Sequence, residues 1–271
     1  MGVRSRVTSH ITTVVVLAAG QGKRMHSPLP KVLHAVCGRP MLLWVLDAAR
    51  AVDPERMVVV LGHGSEEVVP HLPAGCVVAI QERQLGTGHA VLAAADQLLL
   101  GPMLVLPGDT PLVTGDALCA LVRDHVESGA VATLLSMDLD DPTGYGRVVR
   151  GADGDVLRIV EHRDAGPEEL TIHEVNSGMY VLPVPETLDV LAQVGSDNDQ
   201  QEMYLTDVVA GLRARGERVC ASKVADPSLV LGVNSPEELA QVEALMARRT
   251  GQPCPQRVDA ATGERARGGE Q

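Results

Sequence analysis

Val14-Val15-Val16-Leu17-Ala18-Ala19-Gly20-Gln21-Gly22-Lys23-Arg24-Met25, followed shortly by Leu29-Pro30-Lys31, is the stretch on which the reading of this chain turns. A β-branched apolar run that empties into small residues and then presents two cations in one loop suits the binding of a polyphosphate by backbone N–H groups and charge together. The ligand class this implies is a nucleoside triphosphate. A dinucleotide fingerprint would need glycine where Met25 stands, and an acidic residue where the apolar run 57–61 ends in Gly62. A Walker A loop would need a GK[ST] ending, which Gly22-Lys23-Arg24 does not supply. A plain glycine-rich turn stays open as the alternative.

Outward from that loop the chain alternates strand-like and helix-like segments. Helical spacing over 41–50 has Pro40 at its entrance, and apolar runs at 57–61, 76–80, 103–106 and 131–135 are separated by helical patterns at 88–97 and 116–127. Right-handed crossovers would place the loops at one edge of a parallel sheet. With no phenylalanine and one tryptophan, Trp44, the core must be built from Val, Leu, Ala and Ile, as suits parallel strands buried on both faces. A length of 271 residues favours one dominant α/β domain. The expected fold is thus α/β, a Rossmann-like, mostly parallel sheet sandwiched by helices.

The second half breaks the rhythm. A Gly/Asp/Pro-rich turn, short strands at 147–150 and 156–160 and the hairpin-like Asp153-Gly154-Asp155 predict a small antiparallel substrate-binding insertion over about 138–182. A strand at 175–182, a helix at 203–215, a strand at 219–222 and a helix opening at the cap-like Ser235-Pro236-Glu237-Glu238 follow. The expected organisation is a flexible extension over 1–12, a nucleotide domain over 13–234, a helix over 235–250 and a disordered tail over 251–271.

The net charge of −12 argues against a protein that holds nucleic acid through its phosphates, so any phosphate site must be a local gathering of cations. No apolar stretch reaches membrane-spanning length. Cys37, Cys76, Cys119, Cys220 and Cys254 are far apart and odd in number, which predicts reduced thiols in a cytoplasmic protein.

Arg24 and Lys31 are the candidate catalytic pair, one a planar fork and the other a mobile point charge, able to neutralise charge on phosphoryl oxygens; Lys23 reads as a surface cation. Asp109, in Leu106-Pro107-Gly108-Asp109, ends a buried strand where a hard oxygen ligand could hold Mg2+, and Asn234 is its natural neutral partner, although either could be only a turn or cap residue. Gln81 opens a loop in which its amide could meet a pyrimidine edge, Gly86 would let the backbone approach the same ring, and His89 reads as a helix-start residue. Asp141-Pro142-Thr143-Gly144-Tyr145-Gly146-Arg147, Ile159-Val160-Glu161-His162 and Val175-Asn176-Ser177-Gly178 each place polar groups at a strand end, suited to sugar hydroxyls. Tyr204 and Thr206 could close the same pocket.

Taken in order, Leu17-Ala18-Ala19-Gly20, Leu29-Pro30-Lys31-Val32-Leu33-His34, Gln84-Leu85-Gly86-Thr87-Gly88-His89-Ala90, the 141–147 and 159–162 runs, Tyr204-Leu205-Thr206-Asp207 and Gly232-Val233-Asn234 resemble the uridyltransferase half of the bifunctional bacterial enzyme that makes UDP-N-acetylglucosamine, within the sugar-1-phosphate nucleotidyltransferases. The resemblance runs from about Val14 to Glu238. It implies a uridine site around Leu17, Ala19, Gly20, Gln81, Gly86 and Thr87, phosphate-binding catalytic cations Arg24 and Lys31, and Mg2+ ligands Asp109 and Asn234. It further implies sugar contacts from Gly146, Glu161, Asn176 and Thr206, with Tyr204 nearby. The implied reaction joins UTP and N-acetylglucosamine-1-phosphate into UDP-N-acetylglucosamine and pyrophosphate, with no covalent intermediate.

This chain departs from the family pattern at Pro107, at Ser177 and at Ser235-Pro236 after Asn234, none of which removes a proposed ligand or cation. No hexapeptide repeat is visible, so the expectation is a chain without acetyltransferase activity, its self-association left open. Two rivals remain at this point: a nucleotidyltransferase for another sugar or cyclitol phosphate, and a nucleotide-sugar-binding protein without turnover.

Overall fold

The computed structural model describes residues 10–255. The extension expected over 1–12 and the tail expected over 251–271 fall largely on residues 1–9 and 256–271, outside that range. Inside it, Ile11 is buried and Thr12 Oγ1 donates to the Pro102 carbonyl at 3.1 Å.

The chain runs β1 (Thr13–Ala18), a small hairpin of β2 (Ala35–Val36) and β3 (Arg39–Pro40), α1 (Met41–Ala49), β4 (Arg56–Leu61), α2 (Ser65–Val68), β5 (Cys76–Ile80), α3 (Thr87–Ala93), β6 (Gly101–Pro107) and α4 (Gly115–Ser128). It continues through β7 (Ala132–Asp138), β8 (Arg147–Arg150), β9 (Val156–Val160), α5 (Pro167–Leu170), β10 (Glu174–Val184), α6 (Glu186–Leu191), α7 (Asp207–Ala214), β11 (Val219–Lys223) and α8 (Pro236–Thr250). The main sheet has the order β11-β7-β10-β6-β1-β4-β5.

β1 shows why the sheet is covered on both sides. Its side chains alternate across the pleat. Val14 and Val16 join a core with Leu42, Val45 and Leu46 of α1 and Leu118 and Leu121 of α4. Val15 joins another with Ala90 and Val91 of α3 and Val208 and Leu212 of α7. A strand buried on both faces can afford no polar alternation, hence the unbroken valine run.

β1 pairs in parallel with β4 on one side and β6 on the other. The chain therefore reverses its direction of travel across the sheet at β1, and the crevice beyond the carboxyl ends of β1 and β6 is the switch point at which open α/β sheets bind ligands. The Gly108 N–H donates to the Leu17 carbonyl at 2.8 Å and ties the two strand ends together.

Three features depart from the sequence reading. β10 is not confined to the antiparallel insertion: it lies inside the main sheet, antiparallel to both β6 and β7, while Val175 also pairs with Arg147 of β8. An irregularity between Asn176 and Tyr180 lets one strand serve both places. The helix expected at 203–215 begins only at Asp207. Residues before it spend backbone bonds on a neighbouring loop: Met203 N–H donates to the Leu85 carbonyl and Gly88 N–H to the Met203 carbonyl, both at 2.8 Å. Finally, five reduced thiols are not what is found, for Cys37 and Cys254 are joined by a disulfide. α8 packs beside the β2–β3 hairpin through Val36, Leu239, Val242 and Met246, which carries Cys254 to the hairpin turn. Cys76, Cys119 and Cys220 are free. Among the described residues no helix is long and apolar enough to cross a membrane.

Burial also sets an acid limit to stability. His125 on α4 is buried, its Nδ1 lying 2.9 Å from Thr133 Oγ1 of β7, and desolvation lowers its pKa from 6.5 to about 4. Because the folded pKa lies below the unfolded one, the contribution is complete above pH 6.5 and is lost as pH falls towards 4. The loss totals about 3 kcal/mol. Urea unfolding at pH 7 and pH 5 should show a smaller pH-dependent loss in His125→Gln than in the parent; equal losses would refute the assignment.

Candidate active site

The strand ends enclose a cleft of about 580 Å3. It brings together Leu17, Ala19, Gly20, Arg24, Lys31, Gln81, Gly86, Thr87, Asp109, Gly146, Glu161, Asn176, Thr206 and Asn234. Tyr204 alone of the expected residues does not line it. Its ring is buried beside a second cavity of about 390 Å3, which shares Glu161 and Thr206 with the first, and its hydroxyl accepts from Gln200 Nε2 at 2.9 Å.

One end of the cleft is ionic. Pro30 leads into a 3-10 turn, Lys31–Leu33, that delivers Lys31. Gly22 lies in left-handed backbone at φ +59, and a Cβ there would stand 2.6 Å from the Lys31 Cβ, so glycine gives the lysine stem its passage. Lys31 Nζ donates to Asp109 Oδ2 and, at 3.0 Å, to Asn234 Oδ1. The Val233 N–H donates to the Asp109 carbonyl at 2.9 Å and fixes the two oxygen-bearing loops against each other. Arg24, exposed on the turn Lys23–Met25, has no ion-pair partner among the described residues.

A second region is organised by Gln81, only 3% exposed. Its amide nitrogen lies 3.0 Å from the Gly86 carbonyl and 3.0 Å from His89 Nδ1. Both N–H groups are thereby engaged within the protein, which leaves the amide oxygen able to accept from an N–H or O–H donor in the cleft. Thr87 Oγ1 accepts from the Leu205 N–H at 3.0 Å, so this loop is clasped to the opposite wall.

The third region is formed by Glu161, Asn176 and Thr206. Thr206 Oγ1 donates to Glu161 Oε1 at 3.0 Å. Burial pushes the Glu161 carboxyl above its ordinary pKa, opposed by the Thr206 bond and reinforced by Asp164, Asp207 and Glu202. Asn176 donates through Nδ2 to the Tyr180 hydroxyl and accepts the Gly178 N–H at 3.1 Å, and its own N–H donates to the Gly146 carbonyl at 2.9 Å.

Four residues escaped the sequence reading. Gln84 reaches back from the glycine loop, its Nε2 3.4 Å from the Ala19 carbonyl and its Oε1 accepting from Gln21. Tyr145 lines the cleft with its hydroxyl pKa raised by burial and by the charges of Glu238 and Asp109. Glu238, legible as a helix-capping acid, also accepts the Asn234 N–H at the ionic end. Arg147 is 2% exposed and donates to the Tyr145 carbonyl, with its other terminal nitrogen 3.4 Å from His162 Nδ1. It braces the 145–146 wall from below. Each lies in or beside a quoted motif, but nothing in composition or spacing separates a lining residue from its neighbours.

A model of the MobA-like NTP transferase domain matches residues 14–203. The chain is 49% identical over 238 residues to the bifunctional protein GlmU of Lactobacillus delbrueckii subsp. bulgaricus, covering 87% of this chain and 52% of that protein. It is 47% identical over 236 residues to the bifunctional protein GlmU of Caldanaerobacter subterraneus subsp. tengcongensis, covering 87% and 51%. The chain thus spans about half the length of the curated relatives it matches. A crystal structure of UDP-glucose pyrophosphorylase complexed with UDP-glucose shares the fold, with a TM-score of 0.71 at 17% identity over 88% of this chain and 99% of that one. With the switch-point cleft and the matched span in agreement, this chain belongs to the family of MobA-like NTP transferase domains.

Proposed function

We propose that the protein is an N-acetylglucosamine-1-phosphate uridylyltransferase, converting UTP and N-acetylglucosamine-1-phosphate into UDP-N-acetylglucosamine and pyrophosphate. The observation that carries this reading is the convergence in one cleft of three regions: an end bearing Lys31, Asp109 and Asn234, a polar loop around Gln81 and Gly86, and a wall of Glu161, Asn176 and Thr206. The high identity to bifunctional GlmU proteins supports it independently.

In this reading a phosphate oxygen of the sugar substrate attacks the α-phosphorus of UTP, the α–β bridging P–O bond breaks, and its electrons leave on pyrophosphate. No proton need be removed from an already ionised phosphate, so positioning and charge neutralisation carry the rate. Arg24 can grip phosphoryl oxygens bidentately, and Lys31 can follow them on its flexible stem. Gln81 Oε1 accepts the ring N–H of uracil, and the Gly86 backbone lies against the base. Glu161, Asn176 and Thr206 bind sugar hydroxyl and amide groups, with Gly146 forming the close wall.

Mg2+ fits the ionic end by its donor chemistry. Asp109 and Asn234 present two hard oxygens that already converge on one cationic atom, the Lys31 ammonium. When bound there, the metal would neutralise the developing charge on the phosphate oxygens. A cytoplasmic location suits nucleotide and sugar phosphate substrates; the Cys37–Cys254 bond is the feature that pulls the other way.

Pyrophosphate release, measured with Mg2+, UTP and N-acetylglucosamine-1-phosphate, tests the proposal beside glucose-1-phosphate, glucosamine-1-phosphate and the other nucleoside triphosphates. Preferred turnover of the first pair is expected. Preference for another pair would reassign the substrates, and tight UDP-sugar binding without turnover would replace the enzyme by a binding protein.

A further inference from the structure

The contact between Lys31 and the two oxygens assigned above to Mg2+ has a consequence for how the site is filled. We propose that Lys31 is the resident counter-cation of the divalent site, occupying it in the ligand-free protein and leaving it for the triphosphate when the metal enters. The proposal rests on the reading of Asp109 and Asn234 as the metal ligands and concerns the loading of that same site.

Three observations carry it. The ammonium is bonded at once to Asp109 Oδ2 and Asn234 Oδ1, residues 78 and 203 positions away in the chain, so it is seated at the point where their oxygens converge. Both charged side chains are largely sheltered, at 12% exposure for Lys31 and 19% for Asp109, so the attraction is weakly screened by water and a second cation at the same oxygens would meet strong repulsion. Lys31 is also the one ion-pair partner of Asp109 among the described residues, and nothing else there neutralises the carboxylate.

The exchange is mechanically simple. Lysine is a compact charge on four rotatable carbons, and Gly22 leaves the base of its stem unobstructed. A triphosphate offers the ammonium a new anionic partner along the same loop, which uncovers Asp109 and Asn234 for the metal. By linkage the metal likewise favours triphosphate binding, because each ligand removes the obstacle to the other. The lysine would thereby keep the metal site closed until a nucleotide arrives.

The test is the affinity of the nucleotide-free protein for Mn2+, followed by the electron paramagnetic resonance signal of unbound Mn2+. Lys31→Met keeps the apolar stem and removes the charge; Lys31→Gln does so with a polar end, and thermal unfolding confirms that each is folded. Both should bind Mn2+ roughly tenfold or more tightly than the parent. Adding Asp109→Asn to Lys31→Met should abolish the gain. If neither lysine variant binds more tightly than the parent, including the case in which none binds detectably, the exchange is overturned. If Asp109→Asn alone weakens Mn2+ binding while the lysine variants do not strengthen it, the exchange fails and the metal assignment stands. If tight Mn2+ binding survives in the double variant, the metal assignment itself is wrong and the exchange falls with it.

Discussion

Asp109→Asn should lower pyrophosphate-forming turnover by about 10²- to 10³-fold, the size of effect seen when one preorganised electrostatic contact to a transition state is lost. The substitution preserves shape and removes one charge. Asp109 lies on the turn after β6, half-buried, with its backbone carbonyl engaged by Val233 N–H, so the loop keeps its course in the variant. What changes is the carboxylate shared by Lys31 and, in the proposed mechanism, the metal. Stability should fall by about 1 kcal/mol, because the oxygen of the new amide and that of Asn234 both remain to accept from the ammonium. Steady-state rates across a Mg2+ titration, with thermal unfolding alongside, separate the two effects. Parent-like turnover at every Mg2+ concentration would dismiss Asp109 as a metal ligand.

Gly86→Ala should destabilise the protein by about 3 kcal/mol or more and raise the KM for UTP. Two costs add at this position. The backbone has φ +107, which L-residues rarely adopt, and a Cβ would stand 2.5 Å from the Met203 carbonyl oxygen and 2.8 Å from its nitrogen. Those are backbone atoms already engaged across the cleft with Leu85 and Gly88, so neither can withdraw without opening the clasp between the Gly86 loop and the opposite wall. Gly75→Ala is the control, since its φ is +88 but nothing lies within 4 Å of the added carbon. Urea midpoints for the two variants separate backbone strain from collision. A Gly86→Ala protein no less stable than Gly75→Ala, with an unchanged KM for UTP, would refute the close approach.

Much of this molecule is local and therefore legible in one dimension. The valine run of β1, the alternation of apolar strands with helical spacing, the cap at Ser235 and the hairpin turn at Asp153-Gly154-Asp155 depend on neighbours within a few residues. The order of the short motifs was enough to anticipate the family, and nearly every residue taken from them lines the same cleft.

The sequence by itself determined the α/β layering, because strand and helix periodicities and turn residues act over short windows. It also determined which chemically capable residues exist. Tertiary structure alone decided that β10 would enter the main sheet, that Tyr204 would lie behind Glu161 and Thr206 instead of lining the cleft, and that Cys37 would meet Cys254. It alone seated the Lys31 ammonium between Asp109 and Asn234. Contacts of that kind depend on sheet order and on the path of every crossover between distant segments, and no local pattern encodes the distance between residues brought together only when the whole sheet has closed.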